Sequence, residues 1–207
     1  MVKISCLFTL CFLLFIGSSY SQFGSGFKIK LVSGDVKILK SEKEYNFEFD
    51  YKGLKVGGVD EEDYLAEKVK DKNKKEMGSG DKFKNEWFDN RERKFEPKFD
   101  ELFNKTLSGE GVKGSKSNKN AKYTIFVKTD YIEPGYNVGI SRKPAFINAT
   151  VKIFEIANPS NVVAKLMLTN VPGQDAMGFD YDAGGRIAES YAKTGKEVAK
   201  YLIKNAY

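Results

Sequence analysis

Between Tyr45 and Tyr51 the chain reads YNFEFDY, with Tyr45, Phe47, Phe49 and Tyr51 alternating with Asn46, Glu48 and Asp50. Strict period-two alternation predicts a β-strand with one buried face. Upstream, GDVKILK sets Val36 and Ile38 against Lys37 and Leu39. That extends the β reading over 34–57 as a hairpin, with Ser41-Glu42-Lys43 as its turn. After Asp60 the period changes. DEEDYLAEKVKDKNKKE opens on acids and ends on lysines, matching the two poles of a helix. Gly78-Ser79-Gly80 breaks it, and a second helical run follows. There Phe88, Phe95, Phe99 and Leu102 recur at helical spacing, beside Trp87 and Phe103. Pro97 kinks this helix or starts its second half. The aromatic stripe reads as core, with a sugar-stacking platform as the functional alternative. Half of the chain's 28 acids fall in this helical segment, 60–107, mixed with basic residues as a solvated face.

SGEGVKGSKSNKN, 108–120, has the composition of a flexible loop. The β period then returns in 121–170 as three strands, KYTIFVKTDYI, AFINATVKIFEI and NVVAKLMLTNV. In the second, Ala145, Ile147, Ala149, Val151 and Ile153 alternate with a partly polar face. Turns are expected at Pro134-Gly135 and at Asn158-Pro159-Ser160-Asn161. A C-terminal helix spans 183–205, with Ile187, Tyr191, Val198 and Leu202 as its bulky stripe. Gly184, Ala188, Ala192, Gly195 and Ala199 form a small-residue strip beside it, which predicts close approach to a sheet. Strands in runs, with helices between and after, argue for an α+β class. The expectation is a mostly antiparallel or mixed sheet of about five strands. A charged helical segment stands in the middle of the chain and the C-terminal helix packs on the sheet.

The first 21 residues change the picture. Met1-Val2-Lys3, the apolar run Ile4 to Ile16, and Ser19 and Ser21 before Gln22 follow the three-part pattern of a cleaved secretory signal. Cleavage between Ser21 and Gln22 leaves 22–207 as a single domain, with no second long apolar run to cross a membrane. A start at Gln after a small residue resembles exported proteins of Gram-negative bacteria, which places the chain in the periplasm or outside the cell. Both cysteines, Cys6 and Cys11, lie in the leader, so the mature chain has no disulfide framework.

There is no histidine. Without His or a mature Cys, Ser-His-Asp and Cys-His catalysis and His- or thiolate-bound zinc, iron and copper drop out. Carboxylate, lysine, tyrosine and serine chemistry remain. The formal net charge of +6 falls by one with Lys3. This modest balance suits either solubility or an anionic surface.

Four constellations invite a functional reading. In FDYDAGG, Asp180, Asp182 and Gly185 fit the first, third and sixth positions of a calcium loop, but Tyr191 stands where a bidentate Glu is needed. A phosphate cradle at Gly184-Gly185 meets the negative charge of the same aspartates, which read better as helix-end charge. Asp130 with Glu133, Asp100 with Glu101 and Asp180 with Asp182 are candidate acid pairs for a glycosidase, which requires two carboxyl groups held across a cleft. Lys113, Lys116, Lys119, Arg142 and Lys143 are a candidate anion surface, without the dense patch or motif of a nucleic-acid binder. No cofactor or metal site is expected, and no catalytic residue is assigned.

From Ala121 onward, KYTIFVKTDYIEPG, the long hairpin AFINATVKIFEIANPSNVVAKLML and the helix ending YAKTGKEVAKYLIKN resemble uncharacterised bacterial envelope families. The order is similar to the α/β modules of curli-secretion lipoproteins and of the Tol-Pal propeller protein's amino-terminal domain. That resemblance implies assembly or adaptor roles and carries no active-site residues. The expected function is a non-catalytic binding or assembly module of the cell envelope. Its partner would be another envelope protein or an anionic envelope surface, not nucleic acid. The alternatives are a carboxylate-dependent hydrolase acting on envelope glycans, or a basic binder of anionic lipid or lipopolysaccharide.

Overall fold

The computed structural model describes residues 26–137, 141–173 and 182–207. The leader, its two cysteines, the Ser21/Gln22 cleavage point and Asp180 lie outside them. In chain order the strands and helices are β1 (Lys28–Gly34), β2 (Glu44–Asp50), β3 (Lys55–Val56), β4 (Val59–Asp60), α1 (Glu61–Lys75), α2 (Ser79–Asn90), α3 (Glu96–Leu107), β5 (Lys113–Lys116), β6 (Tyr123–Glu133), β7 (Tyr136–Asn137), β8 (Arg142–Lys143), β9 (Ala145–Glu155), β10 (Asn158–Gly173) and α4 (Ala183–Asn205). The main sheet has the order β1-β10-β9-β6-β2-β5. From β1 to β6 its neighbours are antiparallel, whereas β6, β2 and β5 run parallel. This is the α+β class, with a mixed sheet, helices in the middle of the chain and α4 laid on the sheet.

Period two fixes the faces. Tyr45, Phe47, Ile125, Val127, Ala149, Val151, Ile153, Leu166 and Leu168 are buried on one face under α3 and α4. The Phe47 ring meets Phe99 and Phe103 edge-on at 5.3 and 5.0 Å, and both phenylalanines are fully buried. Each such burial is worth about 2–3 kcal/mol. The other face, with Phe126, Lys128, Thr150, Lys152 and Phe154, is partly exposed.

The hairpin expected over 34–57 does not form. Asp35 accepts a hydrogen bond from the Lys37 N–H and caps a 3-10 turn over Val36–Leu39. That turn buries Val36 and Leu39, three apart, and exposes Ile38. The antiparallel neighbour on that side is β1, which pairs with β10, and β2 runs parallel to both of its own neighbours. The 108–120 loop contains β5. Its Gly114 lies so close to Phe47 that a Cβ there would stand 2.1 Å from the ring. Asn104 holds the same glycine, accepting from its N–H at 2.7 Å and donating to its C=O at 2.9 Å. The turn expected at Asn158–Asn161 falls earlier, at Ile156-Ala157, because Asn158 already pairs with Glu155.

The small strip of α4 faces a helix as well as the sheet. A Cβ at Gly195 would stand 2.3 Å from the Phe99 carbonyl of α3. Bulky Tyr191 on the neighbouring strip spans the layer, with its hydroxyl on Thr129 Oγ1 of β6 and its ring stacked 5.0 Å from Phe95.

Candidate functional site

Helix α2 does not pass into α3 by an ordinary α turn. Pro97 has no N–H for the carbonyl four residues back and its ring crowds that carbonyl. The five residues before Glu96, Arg91–Phe95, wind as a π-helix, and the Glu96 N–H reaches the Arg91 carbonyl. A π turn widens the helix and swings its side chains out of α register, a feature frequent at functional sites. Here it turns Arg91 and Glu96 towards the second half of β2.

Among the described residues, that half of β2 has a free edge. Strand β5 covers β2 only from Glu44 to Phe47. Ser117 then takes a left-handed conformation, φ 58°, and the chain crosses β2 on the open face of the sheet. Asn118 pins this crossing, with its N–H on Asn46 Oδ1 and its amide on Glu44 Oε2 at 2.7 Å. The Lys113 N–H bonds to the Lys43 carbonyl at 2.9 Å, so odd-numbered backbone groups of β2 point to β5. By the same alternation Phe49 points the same way, beyond the last β5 residue.

A slot of about 880 Å³ lies between this edge and the π turn. On its inner side stand Phe49, Tyr51 and Phe88, on its open-face side Asn46, Glu48 and Phe126, and across it Asp89, Glu92 and Arg93. Phe88 is 39% exposed, unlike its neighbour Trp87 at 5%, so it departs from the core reading of the aromatic stripe.

Two ion pairs shape the slot. Arg91 donates from Nη2 to both oxygens of Glu61, at 2.5 and 2.7 Å, and Trp87 Nε1 donates to the same carboxylate at 2.6 Å. The Arg91 guanidinium lies 4.2 Å over the Tyr51 ring and 4.8 Å from that of Phe88. Glu96, buried, takes a short hydrogen bond from Lys116 Nζ and a longer one, 3.4 Å, from the Tyr51 hydroxyl. Burial, then the neighbouring Tyr191 and Glu96, push the Tyr51 hydroxyl far above its usual range, so it stays a neutral donor. Among the described residues Glu48, Asp89, Glu92 and Arg93 carry no ion pair, which leaves the slot acidic on balance.

Asp100, one turn after Glu96, is the most displaced acid among the described residues. Burial first, then the Glu96 charge, raise it from 3.8 to about 6 against the pull of Lys116. One of its oxygens, Oδ1, is buried without a hydrogen-bond partner. It is not part of the slot wall.

The other candidates are scattered. Asp182 caps α4, accepting from the Gly184 and Gly185 N–H groups at 2.9 and 3.1 Å, and pairs with Lys94. Burial opposes its ionised form, but Lys94 and the glycine N–H groups outweigh it and lower its pKa. Its oxygens occupy the very N–H groups a phosphate would use. No cluster of three or more metal-ligating side chains occurs among the described residues. Asp130 accepts from Thr150, Glu133 from Lys143 and Glu101 from Lys98, and neither described acid pair lines the slot.

The anion surface does not assemble either. Lys113 pairs with Glu44, Lys116 with Glu96 and Lys143 with Glu133. Lys116 is level with Ile125 of β6 through Phe47, and Lys143 sits at Glu133. Eight residues of strand separate those levels, roughly 26 Å. Lys119 lies in the crossing loop after β5 and Arg142 in the β7–β8 ribbon, so they stand with the separated halves. Sequence reasoning missed Tyr51, Arg91 and Glu96 as a group. The available signal was Pro97 inside a charged aromatic helical run, which announces an irregular turn without saying what it faces.

No family model matches the chain, and no curated protein is similar to it. Among solved structures, the PelC dodecamer from Paraburkholderia phytofirmans in space group P6 is similar at a TM-score of 0.42 and 14% identity, over 87% of this chain and 99% of that one. A point variant of that dodecamer in space group C2 gives 0.41 and 12% over the same shares. These scores assign no role to any residue of this chain. Among the described residues no helix is long and apolar enough to cross a membrane.

Proposed function

We propose that the protein is an exported, non-catalytic binding or assembly module of a Gram-negative envelope, and that it binds through the slot beside β2. The export reading rests on the leader pattern of residues 1–21, and the assembly role is the one implied by the resemblance to curli-secretion and Tol-Pal modules. The observation that carries the binding reading is how the slot's charges are spent. Glu96 is held by Lys116 and Arg91 by Glu61, while an open backbone edge and the Phe88 ring are left facing solvent. Fixed charges beside an unused edge suit recognition better than proton transfer.

The hydrolase alternative needs a cleft acid near neutral pKa. The acid with that property, Asp100, lies outside the slot wall, and the buried acid within the wall is neutralised by lysine. The lipid-surface alternative needs a continuous basic face, and three of its five candidates are already paired.

Site-specific photo-crosslinking in cells tests the proposal. A benzophenone side chain at Asp89 is expected to give a discrete adduct in the envelope fraction, from a protein that begins at Gln22. The same group at Lys84 serves as the control. An uncleaved or cytosolic protein, or no adduct from Asp89, would contradict it.

A further inference from the structure

Strand β5 is short, four residues at the edge of the main sheet, and its end has a definite cause. The positive φ of Ser117 and the Asn118 clamp carry the chain over β2, so β5 cannot continue. Past Phe47 the strand β2 keeps a parallel partner, β6, on one side as far as Asp50 and, among the described residues, has none on the other. The Phe49 N–H and C=O therefore face the slot. An unpaired edge is a template for another strand unless it is blunted by charge, proline or a cover. Here no proline stands on the free segment Glu48–Tyr51, its charges are the two acids Glu48 and Asp50, which discourage a second copy of this acidic edge but not a basic strand, and the π turn stands off by the width of the slot.

Building on the slot as a binding site, we infer that the free edge of β2 at Phe49 is a strand-addition site for an extended peptide that alternates apolar and basic side chains. Main-chain bonds to Phe49 supply the pairing, and alternate side chains read the two walls. Side chains turned to the helix layer meet Phe49, Tyr51 and Phe88, which are only partly covered. Those turned to the open face meet Glu48, whose carboxylate accepts a hydrogen bond from the Asn46 amide at 3.2 Å and forms no ion pair among the described residues. Asp89 and Glu92 on the far wall add negative charge; among the described residues, Arg93 is the one cation lining the slot outside an ion pair. An acidic wall selects basic residues and repels acidic ones. The peptide takes the place that β5 vacates, one strand spacing of about 4.8 Å from β2. The slot volume is within the range of ligand sites.

The test is calorimetric titration of the mature protein with an acetylated, amidated hexapeptide alternating lysine and phenylalanine. Two further ligands are the same peptide N-methylated on alternate residues, in both phases, and a neutral N-acetylglucosamine hexamer. Binding of the plain peptide is expected to weaken at least tenfold in one N-methylated phase and little in the other. Glu48→Lys is expected to weaken it at least threefold and to admit a glutamate–phenylalanine peptide. Circular dichroism and thermal melting verify that this exposed substitution leaves the fold intact. Equal binding of both N-methylated forms overturns strand addition. Binding of the saccharide without the peptide overturns the peptide assignment and leaves the slot as a glycan site. Binding of neither ligand overturns strand addition, and only the loss of the Asp89 cross-link as well would remove the slot reading.

Discussion

The two halves of β2 share one sequence pattern and meet opposite fates. From Tyr45 to Phe47 the strand is paired on both sides, and its aromatics are sealed under α3. From Glu48 to Tyr51 the alternation continues unbroken, but one edge is open and the aromatics are half covered. The face of a strand follows from its period. Its edge pairing follows from where another part of the chain stops, here at Ser117, some seventy residues away in sequence. The covered half is therefore a packing element, and the uncovered half is the candidate for recognition.

The largest effect should come from the contact that presses α3 onto the covered half. Gly195→Leu forces a side chain into the Phe99 carbonyl, with an expected loss of about 3 kcal/mol or more in chemical denaturation. Unchanged stability would remove the close α3–α4 crossing. Next, Gly114→Val drives β5 off the Phe47 ring, at a cost of about 2–3 kcal/mol. It should also abolish the difference between the halves, because Tyr45 and Phe47 lose their outer partner. Amide exchange on the variant reads that directly.

Asp100 gives a smaller effect of opposite sign. Its folded pKa, about 6, lies above the ordinary 3.8, so the folded protein holds this proton more tightly than the unfolded chain does. The ionised form therefore costs stability. The cost is absent below about pH 4 and complete once pH has risen through 6. Asp100→Asn is expected to stabilise the protein at pH 8 by about 1–2 kcal/mol, after allowance for partial solvent screening, and to give no gain at pH 4. Equal stabilisation at both pH values would show that charge is not the cause. Smallest of all, Glu48→Gln in the open half should alter thermal stability by less than about 0.5 kcal/mol, as for other exposed positions. A larger loss would mean that Glu48 is structural.

Much of the architecture was legible because it depends on short-range patterns. The α+β class, the run of long strands and the face of α4 all follow from periods of two and 3.6. The 3-10 turn at Val36–Leu39 was misread because Val-Lys-Ile-Leu satisfies a period of two as well as a spacing of three, and the cap on Asp35 decides between them. Strand β5 was hidden by Gly114, a poor strand former whose place is set by the Phe47 ring. The site was the least legible part. Tyr51, Glu61, Arg91 with Glu96 on the π turn, and Lys116 come from four separate stretches and are joined only by the parallel crossover from β2 to β5. The stretch FDYDAGG, the most site-like in sequence, supplies through Asp182 the cap of α4.

Amide hydrogen exchange resolved at Phe47 and Phe49 reads the edge of β2 residue by residue. With β5 covering only the first of them, the Phe47 amide should exchange at least about a hundredfold more slowly than that of Phe49, whose N–H faces the slot. Equal protection at the two positions would mean that the second half of β2 already has a partner, and the account of an open edge would be wrong.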